Sequence, residues 1–167
     1  AREELGRLAQ TDPLTDLANR ATLIRALTET LNEAAESNRR TGLLHLDLAT
    51  FKEVNDTLGH AAGDALLKHV AARLRETARP DDLVAHGGAD EYLALCPDVR
   101  GYGELERLGK RIRAVLQEPF EWRGARVSFG VRIGASLSEP GEYQAFRMLQ
   151  HADLALGALR ETGETGV

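Results

Sequence analysis

The chain has 167 residues, of which 43% are hydrophobic and 28% charged, and a formal net charge of −5. That is enough for one domain with a substantial core, and the acidic balance argues against a nucleic-acid polymer as partner, which would call for a broad basic face. No apolar run approaches the roughly 20 residues that span a bilayer, no secretory signal opens the chain, and the single cysteine, Cys96, has no internal disulfide partner. We therefore expect a cytoplasmic domain and, from the absence of an initial Met, one excised from a larger or membrane-attached protein.

In chain order, "REELGRLAQTD" has the pattern of a helix ending before Pro13. Residues 1–11 are expected to be the tail of an upstream linker helix, and 12–167 the domain itself. In "NRATLIRALTETLNEAAES", Leu23, Ile24, Leu27 and Leu31 recur at helical spacing behind Asn19, a plausible N-cap. "TGLLHLDL" predicts a buried strand ending at Asp47 and Leu48. "TFKEVNDTLGH" predicts a short helix stopped by Gly59, and "AAGDALLKHVAARLRETA" a longer one with Leu66, Leu67, Val70 and Leu74 on one stripe. "DLVAH" and "EYLALC" flank a glycine turn as a β-hairpin. "GELERLGKRIRAVLQ" is helical. "PFEWRGARVSFGVRIGASL" predicts two strands turning at Arg123 and Gly124, with Val127, Phe129, Val131 and Ile133 alternating inward. "AFRMLQHADLALGALRE" closes the chain as a helix presenting Leu149, Ala152, Leu156 and Leu159. This order predicts an α+β fold with a mainly antiparallel sheet, in preference to a doubly wound parallel one.

Two loci hold the acids of interest. Asp47 ends the first strand, and Asp90 and Glu91 leave the turn of "HGGADEY", residues 86–92. If that strand lies beside the hairpin, three carboxylates meet at one sheet edge, which costs free energy unless a cation compensates them. Oxygen-only donors point to Mg²⁺ or Mn²⁺ and not to zinc; the alternative is a set of solvated turn acids. The short helix after Asp47 offers free backbone N–H groups to phosphate, with Lys52 as an added charge. Asn55 and Asp64 have the chemistry to read guanine, whose N–H donors suit a carboxylate and whose acceptors suit an amide. Asp64 alone, placed in a helix's first turn, is equally explained by the helix dipole.

Together, "LDLATFKEVNDTLGHAAGDALL", "RPDDLVAHGGADEYLALCP", the opening "DPLTDLANR" and the late "HADLAL" resemble the GGDEF domains of bacterial diguanylate cyclases, from Asp12 onward. The signature pentapeptide falls on the degenerate "GADEY", Gly88 to Tyr92. The resemblance implies a central, mostly antiparallel sheet wrapped by helices, as in nucleotidyl cyclases and polymerase palms. It also implies condensation of two GTP into cyclic di-GMP across a homodimer, often within chains carrying further signalling domains. Asp47, the Leu48 carbonyl and Asp90 then correspond to metal ligands. Glu91, with Asp90, corresponds to the catalytic acids. Lys52, Asn55, Asp64 and Arg160 correspond to substrate contacts. Arg79 and Asp82 match the RxxD pattern that binds product as an inhibitor; an arginine fork suits both phosphate and a guanine face.

Four departures stand out. Ala89 replaces the second signature glycine, His86 an arginine, and Ala49 the second Asp of a DxD pattern. In the last helix Gly157, Arg160 and "GET" stand where an aromatic, a Lys and "GRN" are expected, which puts Glu164 in place of a phosphate-binding Arg. An added negative charge there repels a triphosphate. The expected function is thus a cyclic di-GMP signalling domain that binds GTP and cyclic di-GMP but is weakly active or inactive. An active cyclase with product inhibition is the close alternative. A dimerisation module that controls a fused phosphodiesterase without binding nucleotide is the third.

Overall fold

The computed structural model describes residues 10–141, 143–163 and 166–167. Most of the expected linker-helix tail, and Glu164, lie outside the described residues. The first helix, α1 (Arg20–Ser37), starts as its sequence predicts: the Asn19 Oδ1 accepts the Thr22 N–H at 2.9 Å, one of the orphan donors of a helix start. It ends at Asn38, whose left-handed φ of 62° turns the following Arg39 N–H back to the Ala34 carbonyl at 3.2 Å.

Strand β1 (Arg40–Leu48) leads through α2 (Phe51–Leu58) and α3 (His60–Thr77) to the hairpin β2 (Leu83–Gly88) and β3 (Glu91–Val99). Helix α4 (Tyr102–Leu116) follows, then β4 (Phe120–Trp122), β5 (Ala125–Val127), β6 (Val131–Leu137) and α5 (Ala145–Thr162). The main sheet has the order β2-β3-β1-β6 and every pairing in it is antiparallel; β4 and β5 form a separate two-stranded ribbon. The α+β expectation is borne out.

β1 sits inside the sheet with both faces covered, so period two sorts its residues between two cores. Leu44, Leu46 and Leu48 pack with Tyr92, α3 and α4. Leu43 packs with Leu93, Leu95, α1 and α5, and His45 and Asp47 share its face by alternation. Each fully buried leucine contributes roughly 1.5–3 kcal/mol. Cys96 is buried, and burial pushes its thiol up to about 12, out of the reactive range.

Three expectations change. The final two-strand reading becomes three strands, because the chain leaves the ladder between Val127 and Val131. Phe129 nevertheless stays buried, and the Gly130 carbonyl accepts the Ala49 N–H at 2.8 Å, so this irregular segment closes the end of β1. The buried stripe of α5 is Ala145, Met148, Ala152 and Leu156, with Leu149 and Leu159 only half-buried. The acids gather at the end of two interior strands and not on an edge strand, since β2 and β6 form the edges.

One glycine sets the height of α5 over the sheet. A Cβ on Gly134 of β6 would overlap the Ala152 carbonyl oxygen and come within 2.6 Å of the Leu156 nitrogen. Ala152, Leu156 and Arg160 follow one another at i+4, so this close approach also determines where Arg160 reaches.

Candidate active site

The ladder registers place Asp47 directly opposite Glu91 on one side and Arg132 on the other. Cross-strand neighbours share a face at about 5 Å, so the three side chains form one row at the end of the sheet. Asp47 is 2% exposed. Its Oδ1 accepts Arg132 Nε at 2.7 Å, and its Oδ2 accepts Arg160 Nε at 2.6 Å and Arg132 Nη2 at 3.3 Å. Arg160 also donates from Nη2 to Glu91 Oε1 at 3.0 Å. Arg160 thus bridges the two acids from α5, while Arg132 holds Asp47 from the neighbouring strand.

Asp90 lies in the hairpin turn beside them. Burial, and then the charges of Asp47 and Glu91, hold its carboxyl above the usual carboxylate range, against the pull of Arg160. Leu48 follows Asp47 as the last residue of β1.

The turn is strained at its alanine. Gly88 and Ala89 have φ of 99° and 47°, and the second of these is a left-handed conformation costing a residue with a Cβ roughly 1–2 kcal/mol. His86 is buried; its Nε2 lies 2.8 Å from the Ala89 carbonyl oxygen and its Nδ1 3.1 Å from Asp12 Oδ2. It ties the turn to the opening segment of the domain. Asp12 loses solvent, which raises its pKa, but the Thr15 and His86 hydrogen bonds outweigh that and hold it below the usual range.

The residues expected to contact substrate occupy two places. Lys52 lies exposed in the first turn of α2, whose N-cap Thr50 makes no side-chain cap bond. Asn55 lies on the same helix and packs over Gly63, where a Cβ would overlap its Oδ1. Asp64 is exposed and follows the first turn of α3, which begins at His60; the dipole explanation for it therefore weakens, because that effect falls off beyond the first turn. Arg160 is with the acids, away from this pair.

Two groups escaped the sequence reading. His45, 5% exposed, faces Glu91 Oε1 from Nε2 at 3.1 Å and Asp153 Oδ1 from Nδ1 at 3.7 Å. Burial lowers its pKa, with the two carboxylates opposing. A histidine sharing the Asp47 face of an otherwise apolar strand was the available signal. The second group is basic: Arg107 and Arg111 of α4 line a cavity of about 230 Å³ with Arg79, Glu104 and Leu108. Within it, Arg79 donates from Nη2 to Asp82 Oδ1 and to the Pro97 carbonyl, both at 2.9 Å, while its N–H meets Asp82 Oδ2 at 2.9 Å. The Asp82 side chain is only 1% exposed, and Arg79 Nη1 also lies 3.5 Å from Glu104 Oε1, so two acids hold the guanidinium at the cavity wall.

The mostly antiparallel α+β fold is the one that the sequence motifs imply. The chain belongs to the GGDEF family: residues 9–165 match the profile described as "Diguanylate cyclase, GGDEF domain". It is similar to the signalling protein YkoW of Bacillus subtilis, 33% identical over 99% of this chain but only 21% of that protein's length. Among solved structures it resembles the GGDEF domain of TpbB from Pseudomonas aeruginosa, with TM-score 0.87, 35% identity and coverage of 91% of this chain and 89% of that one. It also resembles the GGDEF domain of DgcB from Caulobacter crescentus in complex with c-di-GMP, with TM-score 0.88, 29% identity and coverage of 95% and 94%.

Proposed function

We propose that this domain, residues 12–167, binds GTP and cyclic di-GMP as a regulatory GGDEF domain and condenses GTP weakly or not at all. One observation carries the reading: Arg160, the cation expected at the triphosphate, spends its guanidinium on Asp47 and Glu91. His86, standing where an arginine is expected, is likewise committed to Asp12 and the Ala89 carbonyl. The pairing of Asp47 with Glu91 and the packing of Asn55 over Gly63 support nucleotide binding; Arg160 and His86 are engaged by protein partners. Glu164 would add repulsion.

The three carboxylates offer oxygen-only donors, which suits Mg²⁺ or Mn²⁺. Asp47, the Leu48 carbonyl and Asp90 would hold the ion, which when bound stabilises charge on the attacking and leaving oxygens of an α-phosphate displacement. Glu91, with Asp90, is the catalytic candidate. A homodimer is required for catalysis because each domain holds one GTP, and further signalling domains are expected around this one. Among the described residues no helix is long and apolar enough to cross a membrane.

Titration calorimetry tests the reading. A non-hydrolysable GTP analogue and cyclic di-GMP should each bind; a domain that binds neither is the nucleotide-independent module instead. Gly63→Ala should weaken the GTP analogue about tenfold by displacing the Asn55 amide, the loss of roughly one hydrogen bond to a partner left unsatisfied, and should leave cyclic di-GMP binding unchanged. Arg79→Ala should have the reverse pattern, with cyclic di-GMP affinity falling at least about 30-fold through loss of a charge-assisted fork. Equal cyclic di-GMP affinity in Arg79→Ala and the parent would remove the inhibitory site.

A further inference from the structure

We infer that Arg132 is a built-in counter-ion that competes with divalent metal for Asp47 and so sets the metal affinity of this site. The inference rests on the proposed nucleotide-binding role of the acids, and goes beyond it by naming what limits that site.

Asp47 has two oxygens, and both accept charge-assisted hydrogen bonds from guanidinium groups. A divalent ion ligated by Asp47 must sit about 2.1 Å from one of these oxygens, hence beside two positive charges that repel it. The two arginines differ in how readily they leave. Arg160 projects from α5 with 38% of its side chain exposed, so it is the less enclosed of the two. The Arg132 side chain is 15% exposed, on a β6 residue paired directly with Asp47. Its Nε and Nη2 grip both oxygens from the adjacent strand, and withdrawing it would uncover a carboxylate that is 2% exposed. Arg132 is therefore the more enclosed member of the clasp and the harder to withdraw. Three acids against two arginines leave one negative charge, enough to attract a cation but not to neutralise a divalent ion at this position.

Mn²⁺ alone, titrated by electron paramagnetic resonance without nucleotide, tests this directly. The parent domain should bind weakly, and Arg132→Met, which keeps the aliphatic stem and removes the charge, should bind at least about tenfold more tightly. Arg132→Lys, which keeps the charge but loses the fork, should fall between them, and serves as the test if the Met variant does not fold. Adding Asp47→Asn to Arg132→Met should abolish the gain and so locate it. Equal Mn²⁺ affinity in parent and variants, or no binding in any of them, overturns the inference. A parallel titration with the GTP analogue, with EDTA or with Mg²⁺, keeps the two readings apart. Absence of GTP binding defeats the proposed function, while the Mn²⁺ series alone decides the role of Arg132.

Discussion

Gly134→Ala should lower the melting temperature by about 6–12 °C. The added methyl meets backbone, the Ala152 carbonyl and the Leu156 nitrogen, so no rotamer change can relieve it. Overpacking commonly costs about 1–3 kcal/mol when side chains yield. Here α5 itself must lift from β6, so a cost of about 3 kcal/mol is expected, and each kcal/mol shifts the melting temperature by roughly 2–4 °C at this size. The substitution has a second consequence. Arg160 lies two turns beyond Ala152 on the same face, so lifting α5 draws its guanidinium from Asp47 and Glu91. Calorimetric melting reads the first effect and a urea m-value confirms that cooperative unfolding persists. A melting temperature within 2 °C of the parent, a bound set by the same roughly 2–4 °C per kcal/mol, would mean that α5 does not rest on Gly134.

Two neighbouring aspartates should respond with opposite signs. Asp47→Asn removes the partner of the nearly buried Arg132 and should destabilise the domain by about 2–3 kcal/mol in EDTA, somewhat below the roughly 3–5 kcal/mol for breaking a fully buried ion pair. The value is lower because Arg160 is partly exposed and keeps Glu91. Asp90→Asn should stabilise. The fold holds the Asp90 carboxyl above its usual range, so the native state favours its protonated form. The stability tied to that proton is lost as pH rises through the raised value. At neutral pH the neutral amide escapes this penalty. In the parent, acidifying from neutral to the upper carboxylate range should therefore recover part of the gain, and Asp90→Asn should show less of that recovery. Matched urea melts of both variants, at neutral and mildly acidic pH, check signs and pH dependence together. Equal destabilisation by both would contradict the charge distribution described for the site.

Sequence periodicity was sufficient for most of the fold because each long element advertises itself locally. Asn19 caps α1 from one residue away, and the apolar run of β1 implies cover on both faces. The break between β5 and β6 was invisible for a physical reason: Val127, Phe129, Val131 and Ile133 keep alternating burial, and burial can alternate through a segment that has left the ladder. In α5 the periodicity places Ala152 and Leu156 correctly, but Leu149 and Leu159 also read as buried positions because they are as apolar as Met148, which is buried. In the site, the acids were legible from motif spacing. Arg132 was not: in "GVRIG" it has the pattern of the solvent face of a strand, and its partner is 85 positions away. Only the β1–β6 register brings them together. The same holds for His45 with Asp153, and for Arg107 and Arg111 beside Arg79.

Turnover is the most direct test of the central claim. The purified domain, at a concentration high enough to populate a dimer, is incubated with GTP and Mg²⁺, and the nucleotides are separated by anion-exchange chromatography. With its arginines turned onto Asp47 and Glu91, the domain should leave GTP essentially intact, with at most a trace of cyclic di-GMP over hours. Rapid, protein-dependent accumulation of cyclic di-GMP would contradict the account and establish the domain as a working cyclase.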